Sequence, residues 1–360
     1  MVLQEQSGSI PKSGQNCCIG ILVNPRAARD IRRLVTGASS IPVSERVAIC
    51  HRIVRGLSAV DVGQILMMPD RDNIAVKLKT AVERERSSTS ANLPGIRILD
   101  MPVTDSPQDT LDAAQLMVKA KVGAIVVLGG DGTHRLVAHA CGTIPLACIS
   151  TGTNNAFPGN PEATVAGLAA GAVGRRLVVP DIVCQSNKRL CVRVNSQDTI
   201  PALVDVCITT DTQTGTRALW RSDRLRKLFL TFAEPGQVGL SSIGSLLSPT
   251  TREDDNGLVI DMDPAAEGFK KLMAPIAPGL FEPVAITNYQ PISLNQNYVI
   301  DSFMGTLAYD GEKEVTLFSG DRIEIRLDRR GPRTIDIAKT IEAIAHSGLL
   351  IRADTLKSGP

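Results

Sequence analysis

The sequence predicts two domains: an α/β amino-terminal domain with an open, mostly parallel sheet, and an all-β, sandwich-like carboxyl-terminal domain. Three observations lead there. Up to about residue 174, short apolar runs alternate with helical patterns, as expected of strands buried on both faces between helices. From about residue 175 many short strand candidates are separated by turn signals, the pattern of a sandwich. Two polar, glycine-bearing loops, 129–133 and 150–155, follow successive strand candidates. In open α/β sheets ligands bind beyond the carboxyl ends of the strands.

At 360 residues the chain is long enough for two cores. It is 43% hydrophobic but only 3% aromatic, so those cores must be aliphatic. A net charge of +2 spread along the chain gives no strong case for nucleic acid or an acidic membrane surface. The eight cysteines form no Cys-x-x-Cys pair and no histidine stands at metal-finger spacing, so no metal site is expected. Cys141, Cys148 and Cys207 lie in apolar segments and read as small core residues. A cytoplasmic, reducing compartment is expected. Neither a signal peptide nor a run of membrane-spanning length is seen.

Residues 1–16 are polar and read as a flexible tail. The α/β domain is expected over 17–174. Cys18 to Val23 is its first strand, and Asn24-Pro25 ends that strand in a turn. Asn24 serves there as a turn-former or reaches a ligand. Arg26, Arg29, Arg32 and Arg33 follow as a basic face open to solvent or phosphate. Ser44 is a candidate cap for a helix to about Leu57; Gln64 to Met68 is a strand, Asp70 to Arg86 a helix, and Ile96 to Leu99 a strand. Ser106-Pro107-Gln108-Asp109 supplies a cap, a proline at the first helical position and an acid in the first turn. That helix runs to about Lys121. Gly123 to Leu128 is short, branched and uncharged, hence a buried strand. Thr133 is a candidate N-cap for the next helix, with Leu136, Val137, Ala140 and Cys141 on one face. Ile144 to Ile149 is a further strand, and Asn160-Pro161-Glu162 opens a small-residue helix to about Gly174.

The β-rich domain is expected over 175–330. Its strand candidates are Leu177 to Val183, Arg189 to Val194, Ala202 to Thr209, Gly257 to Asp261, Val284 to Ile286, Tyr298 to Ile300, Thr306 to Tyr309, Glu314 to Leu317 and Arg322 to Leu327. Leu219, Leu225, Leu228 and Phe229 point to a helical insertion over 217–231 with a basic side of Arg221, Arg224, Arg226 and Lys227. Residues 331–360 are expected as a carboxyl-terminal helix and tail, the helix over 335–351, folding back on the first domain.

Function centres on Gly129-Gly130-Asp131-Gly132-Thr133, at a strand-to-helix junction. Glycine admits positive φ and lets a ligand approach without a Cβ in the way, and helix N-termini offer N–H groups to phosphate. An acid there makes sense facing a hydroxyl or a metal; the alternative is a tight turn with a solvated Asp. In the second loop Thr151, Thr153, Asn154 and Asn155, around Gly152, supply donors and acceptors for hydroxyls or phosphate oxygens, or serve as turn formers.

The 129–133 motif resembles the signature shared by NAD kinases, diacylglycerol and sphingosine kinases, and the acetoin-catabolism X proteins. It lacks the Gly-Lys-Ser/Thr of a P-loop and the three-glycine fingerprint of a Rossmann site. Ala274-Pro275-Ile276-Ala277-Pro278-Gly279-Leu280 with Pro283-Val284-Ala285-Ile286, Tyr309-Asp310-Gly311-Glu312, and Gly320-Asp321-Arg322-Ile323-Glu324-Ile325 resemble segments of the NAD kinase carboxyl-terminal domain, the second also the Asp-Gly-Glu of lipid kinases. The likeness runs in order over roughly 18–328. Departures are Val204-Asp205 in place of the family's ribose-holding Asn-Glu, the 151–158 loop, and Gly239 to Gly244 where the family has a Thr-Gly-Ser loop near ATP. With Thr214 to Trp220, they make the acetoin-catabolism X branch the nearest resemblance.

The resemblance implies an NAD kinase/diacylglycerol kinase-like fold with a nucleotide in the interdomain cleft. It implies ATP and Mg²⁺, with NAD or a nucleotide-like hydroxyl compound as acceptor. Asp131 would be catalytic. Asn24, Gly129, Gly130, Gly132, Thr133, Thr151, Gly152, Thr153, Asn154 and Asn155 would bind nucleotide and phosphate, and Asp205, Asp310 and Gly311 the acceptor. A homo-oligomer, dimer or tetramer, is expected, with no nucleic-acid or membrane partner. The rival readings are a non-catalytic nucleotide-binding or regulatory protein linked to acetoin catabolism, and a lipid kinase of diacylglycerol type. No basic amphipathic helix for membrane docking is evident.

Overall fold

The computed structural model describes residues 17–25, 41–89, 91–152, 155–211, 221–301 and 303–351. Its first sheet is built from β1 (Cys18–Val23), β2 (Gln64–Met67), β3 (Gly95–Ile98), β4 (Ala124–Gly129), β5 (Leu146–Ser150), β6 (Cys184–Ser186) and β18 (Arg333–Ile335). The order is β3-β2-β1-β4-β5-β18-β6. Pairing is parallel from β3 through β18; only β6 runs against its neighbour. Along β4, Ala124, Val126 and Leu128 enter one core while Ile125 and Val127 enter the other. Helices cover both faces, which is why these strands read as unbroken apolar runs.

On one face lie α1 (Val43–Ser58), α2 (Ile74–Ser88) and α5 (Ala163–Gly174); on the other lie α3 (Pro107–Lys119) and α4 (Asp131–Ala140). Helices α1 and α5 meet through glycines. A Cβ on Gly56 would lie 2.1 Å from the Thr164 carbonyl, and one on Gly167 2.3 Å from that of Ile53. A short helix, α6 (Pro180–Val183), precedes β6.

The β-rich part holds β7 (Arg189–Val194), β8 (Gln197–Asp198), β9 (Asp205–Thr209), β10 (Leu225–Leu230), β11 (Asn256–Met262), β12 (Lys270–Ala277), β13 (Leu280–Ser293), β14 (Asn297–Asp301), β15 (Gly305–Tyr309), β16 (Glu312–Leu317) and β17 (Arg322–Asp328). They form an antiparallel seven-stranded sheet, β12-β13-β11-β10-β9-β15-β16, and a four-stranded sheet, β14-β17-β7-β8. Val206, Ile208, Phe229 and Leu307 of the larger sheet face Leu190, Val192, Ile323 and Ile325 of the smaller. The other face of the larger sheet packs on α7 (Leu240–Leu247) through Leu228, Leu230 and Ile243. After β17 the chain returns to the first sheet as β18, and α8 (Ile337–Ser347) sets Ile344 into the core beside α5.

Several expectations are corrected. Residues 225–230 form a central strand, not a helix. Leu228 and Leu230 enter one core and Phe229 the other, so burial on both faces erases the alternation that marks a strand. Pro180–Val183 is helical rather than extended, with proline at its first turn. Leu240–Leu247 is a helix where a loop was expected. Thr133 does not cap α4: Gly130 holds the N-cap position and Thr133 lies inside the first turn. Ser44 lies within α1, behind Pro42. Helix α2 starts at Ile74, where the Asp70 carboxylate accepts from the N–H groups of Ile74 and Ala75. Arg26, Arg29, Arg32 and Arg33 lie outside the described residues, as do Thr153, Asn154 and Thr214 to Trp220.

Candidate active site

Strand β4 ends on Gly129 and α4 begins at Asp131, so Gly130 alone makes the junction. The local sequence dictates this tightness. A Cβ on Gly129 would strike the Thr133 side chain at 2.5 Å, and one on Gly130 would lie 2.9 Å from Asn155 Oδ1. Thr133 is buried, and its Oγ1 accepts from Asn24 Nδ2 at 2.8 Å. Asn24 thus reaches the glycine turn from the end of β1. Asn155 in turn donates to Ser150 Oγ at 2.8 Å. The turn is framed by the loops after β1 and β5, beyond the carboxyl ends of the strands.

The Asp131 carboxylate faces backbone. Its Oδ1 accepts from Phe157 N at 2.8 Å and its Oδ2 from Ala156 N at 3.0 Å. These bonds tie the loop after β5 to the first residue of α4 and fix the side-chain direction. Three residues on, His134 is fully buried, and burial takes its imidazole down to about 4, so it is neutral. Its Nδ1 lies 2.9 Å from the Gly130 carbonyl oxygen. Thr151 is also buried, and its hydroxyl has no hydrogen-bond partner among the described residues.

The β-rich part contributes the opposite wall. Asp310 and Gly311 form the turn between β15 and β16, both at positive φ. The Asp310 carboxylate is buried and accepts from Leu203 N, Val204 N and Asp205 N at 3.1, 2.8 and 3.2 Å. Arg135 of α4 reaches it from the other domain, Nε to Oδ2 3.7 Å. Burial pushes Asp310 up to about 7, opposed by Arg135 and reinforced by the nearby Asp131 carboxylate. Asp205 Oδ1 accepts from Gly311 N at 3.2 Å. Past the turn, Glu312 stands opposite Gly132, its Oε1 3.9 Å from where a Cβ would be. Ala156 and Phe157 pack with Leu203, Val204 and Phe232 in a small apolar cluster that joins the two walls.

Acetoin catabolism protein X of Cupriavidus necator is 40% identical to this chain over 324 residues, covering 89% of this chain and 90% of that protein. The chain belongs to the acetoin catabolism protein X family. Residues 188–330 match the model of the acetoin catabolism protein X carboxyl-terminal domain, and residues 19–175 that of the ATP-NAD kinase amino-terminal domain. Among solved structures, yeast NADH kinase complexed with NADH aligns over 95% of this chain and 90% of its own, with a TM-score of 0.52 at 14% identity. That is a likeness of fold.

In this family member the structure brings Asn24, Gly129, Gly130, Asp131, Thr133 and Asn155 together at one turn. Asp205, Asp310 and Gly311 join one another on the opposite wall. Gly132 lies between the walls, and Gly152 accepts from Ser150 Oγ at 3.2 Å. Sequence reasoning missed Arg135 and Arg252. Arg135 had a signal, since it stands one helical turn after Asp131 on the same face. Arg252 had none: it lies in an acidic loop, yet its Nη2 donates to the Ala156 carbonyl at 2.7 Å.

Proposed function

We propose that this family member is an ATP-dependent phosphotransferase acting on a hydroxyl of NAD or a related nucleotide-like acceptor. One observation carries the reading: carboxylates from both domains converge on the amino terminus of α4, where the charge of Asp131 reaches Asp310. A transferring phosphoryl group needs positioning and electrostatic stabilisation more than covalent chemistry. The bare backbone of Gly130 and Gly132 and the α4 amino terminus would receive phosphates. Asp131, held by two peptides, would orient the acceptor hydroxyl and take its proton. Asp205 and the Asp310-Gly311 turn would hold acceptor hydroxyls. The yeast neighbour of the same fold is an NADH kinase crystallised with NADH, which supports a dinucleotide as acceptor.

Among the described residues, no group of three or more His, Cys, Asp or Glu could hold a metal ion. Mg²⁺ keeps most of its shell as water and phosphate oxygen and takes one or two carboxylates. Asp131 is the carboxylate at the phosphate end that could share it; the ion would neutralise phosphate charge.

Ligand-dependent melting against ATP, NAD, NADH, NADP and diacylglycerol vesicles tests the reading, followed by a phosphoryl-transfer assay on each hit. A ligand at a hundred times its dissociation constant stabilises by about 2.7 kcal/mol. A shift with vesicles and with no nucleotide would sink the proposal in favour of a lipid acceptor. The regulatory reading has its own support: Asp131, Asp205 and Asp310 are all engaged by backbone N–H groups, as anchors of a binding scaffold would be. Nucleotide binding with no turnover on any acceptor would select it.

A further inference from the structure

We propose that Arg135 and Arg252 cross the domain boundary in opposite directions and position the two walls of the site separately: Arg252 sets Asp131, and Arg135 sets Asp205. The proposal rests on reading the cleft as the active site, and its structural half can be tested without any activity.

Arg252 belongs to the β-rich part, in the loop before β11. Its guanidinium lies between two aromatic rings, 5.1 Å from the centroid of Phe157 and 4.2 Å from that of Phe232. Nη2 donates to the Ala156 carbonyl at 2.7 Å, and Nε to Glu234 Oε2 at 3.3 Å. The peptide it grips is the one whose Phe157 N–H donates to the Asp131 carboxylate, and the Ala156 N–H of the peptide before it donates there too. Its own loop is pinned from behind. The buried Lys188 ammonium donates to the carbonyls of Thr251 and Asn256 at 2.8 and 2.5 Å, and Arg329 donates to those of Glu253 and Asp254 at 2.9 and 2.7 Å. A planar fork that also stacks is what this position requires, and lysine supplies neither property.

Arg135 runs the other way. It leaves α4 one turn after Asp131, lies 5.4 Å from the Tyr309 ring centroid, and pairs with Asp310. Asp310 gathers the N–H groups of Leu203, Val204 and Asp205. Asp205 is thereby fixed at the head of β9, closing the Gly311 turn. Burying a guanidinium is costly unless it is well paired. Arg135 is buried and Arg252 half-buried, and two guanidinium groups spanning one boundary mark registration of the walls before a ligand arrives.

Hydrogen–deuterium exchange read by mass spectrometry on the full chain tests this with Arg252→Met, Arg135→Met and the two lysine variants. Arg252→Met is expected to speed exchange at residues 155–157 about tenfold and leave 203–205 unchanged; Arg135→Met should do the reverse. Equal acceleration of both segments by both variants would reduce the arginines to general domain glue and overturn the proposal. If a methionine variant fails to fold, its lysine counterpart carries the same comparison, because lysine keeps charge and bulk but not the fork. Where turnover is measurable, Arg252→Lys should lower kcat with acceptor KM nearly unchanged, and Arg135→Lys should raise acceptor KM. Absent turnover would count against the kinase reading alone, since the exchange pattern decides the clasp.

Discussion

Asp131 meets a structural demand from the Ala156 and Phe157 N–H groups, and under the proposed function it would meet a chemical one from the acceptor as well. Asparagine separates them: it keeps shape and one acceptor oxygen but cannot take a proton. If the carboxylate is the general base, Asp131→Asn lowers turnover by about 10²–10⁴-fold, with nucleotide affinity within a few-fold. Unchanged turnover on a folded mutant would remove Asp131 from the mechanism. Asp205 gives the contrasting case. Its carboxylate meets Gly311 N on the wall proposed to hold the acceptor, so Asp205→Ala should weaken acceptor binding by about 1.5–3 kcal/mol and ATP binding much less. Titration calorimetry with each ligand distinguishes this from equal loss of both, which would contradict the assignment. The glycine turn was readable because its residues are contiguous. Arg252 was not, since its partners Phe157 and Phe232 are brought to it only by the tertiary fold.

Among the elements, the α1–α5 contact sets the thickness of the first domain on one face of its sheet. Gly167 sits against the Ile53 carbonyl with no room for a methyl group. Gly167→Ala must push two helices apart, and overpacking of this kind costs about 1–3 kcal/mol. Gly159 has ordinary space, its nearest neighbour to a new Cβ being Pro161 Cδ at 3.8 Å, so Gly159→Ala should stay within about 0.5 kcal/mol. Urea unfolding of both variants checks the contrast, and equal midpoints would show that the helices separate freely. The same physics explains which elements were readable. Parallel strands such as β1 and β4 announce themselves as short branched runs. Strand β10, wet on neither face along Leu228 to Leu230, carries no period at all and was read as helix. Helix α7 is buried from Leu240 to Gly244, which hides its amphipathic face in the same way.

At the scale of the molecule the chain leaves the first sheet, builds the sandwich, and comes back to insert β18 beside β5. A buried ion pair links the two parts at Asp310, and the pH dependence of stability measures that link. The Asp310 carboxyl is pushed from 3.8 up to about 7, by burial first, with Arg135 pulling the other way and Asp131 adding to the rise. The folded state therefore holds this proton more tightly than the unfolded state. Its contribution to stability is complete below about 3.8 and is lost as pH rises through about 7. Other groups slope differently. Against their burial, hydrogen bonds lower Asp109 and Asp328, so the stability they add is lost as pH falls. Burial lowers Lys188 from 10.5 to about 8, so its protonated form costs stability that is recovered between those values. Asp310→Asn isolates the one term of interest, because subtracting its profile from that of the parent cancels the rest. The parent's advantage over Asp310→Asn should shrink with rising pH between about 4 and 7 and then level off. Its slope should be no steeper than about 1.4 kcal/mol per pH unit. Denaturant midpoints across that range give the profile. A difference flat in pH would mean that Asp310 stays ionised throughout in the folded protein, with Arg135 and the three peptide N–H groups outweighing burial. The interdomain bond would then be a permanent ion pair rather than one that titrates near neutrality.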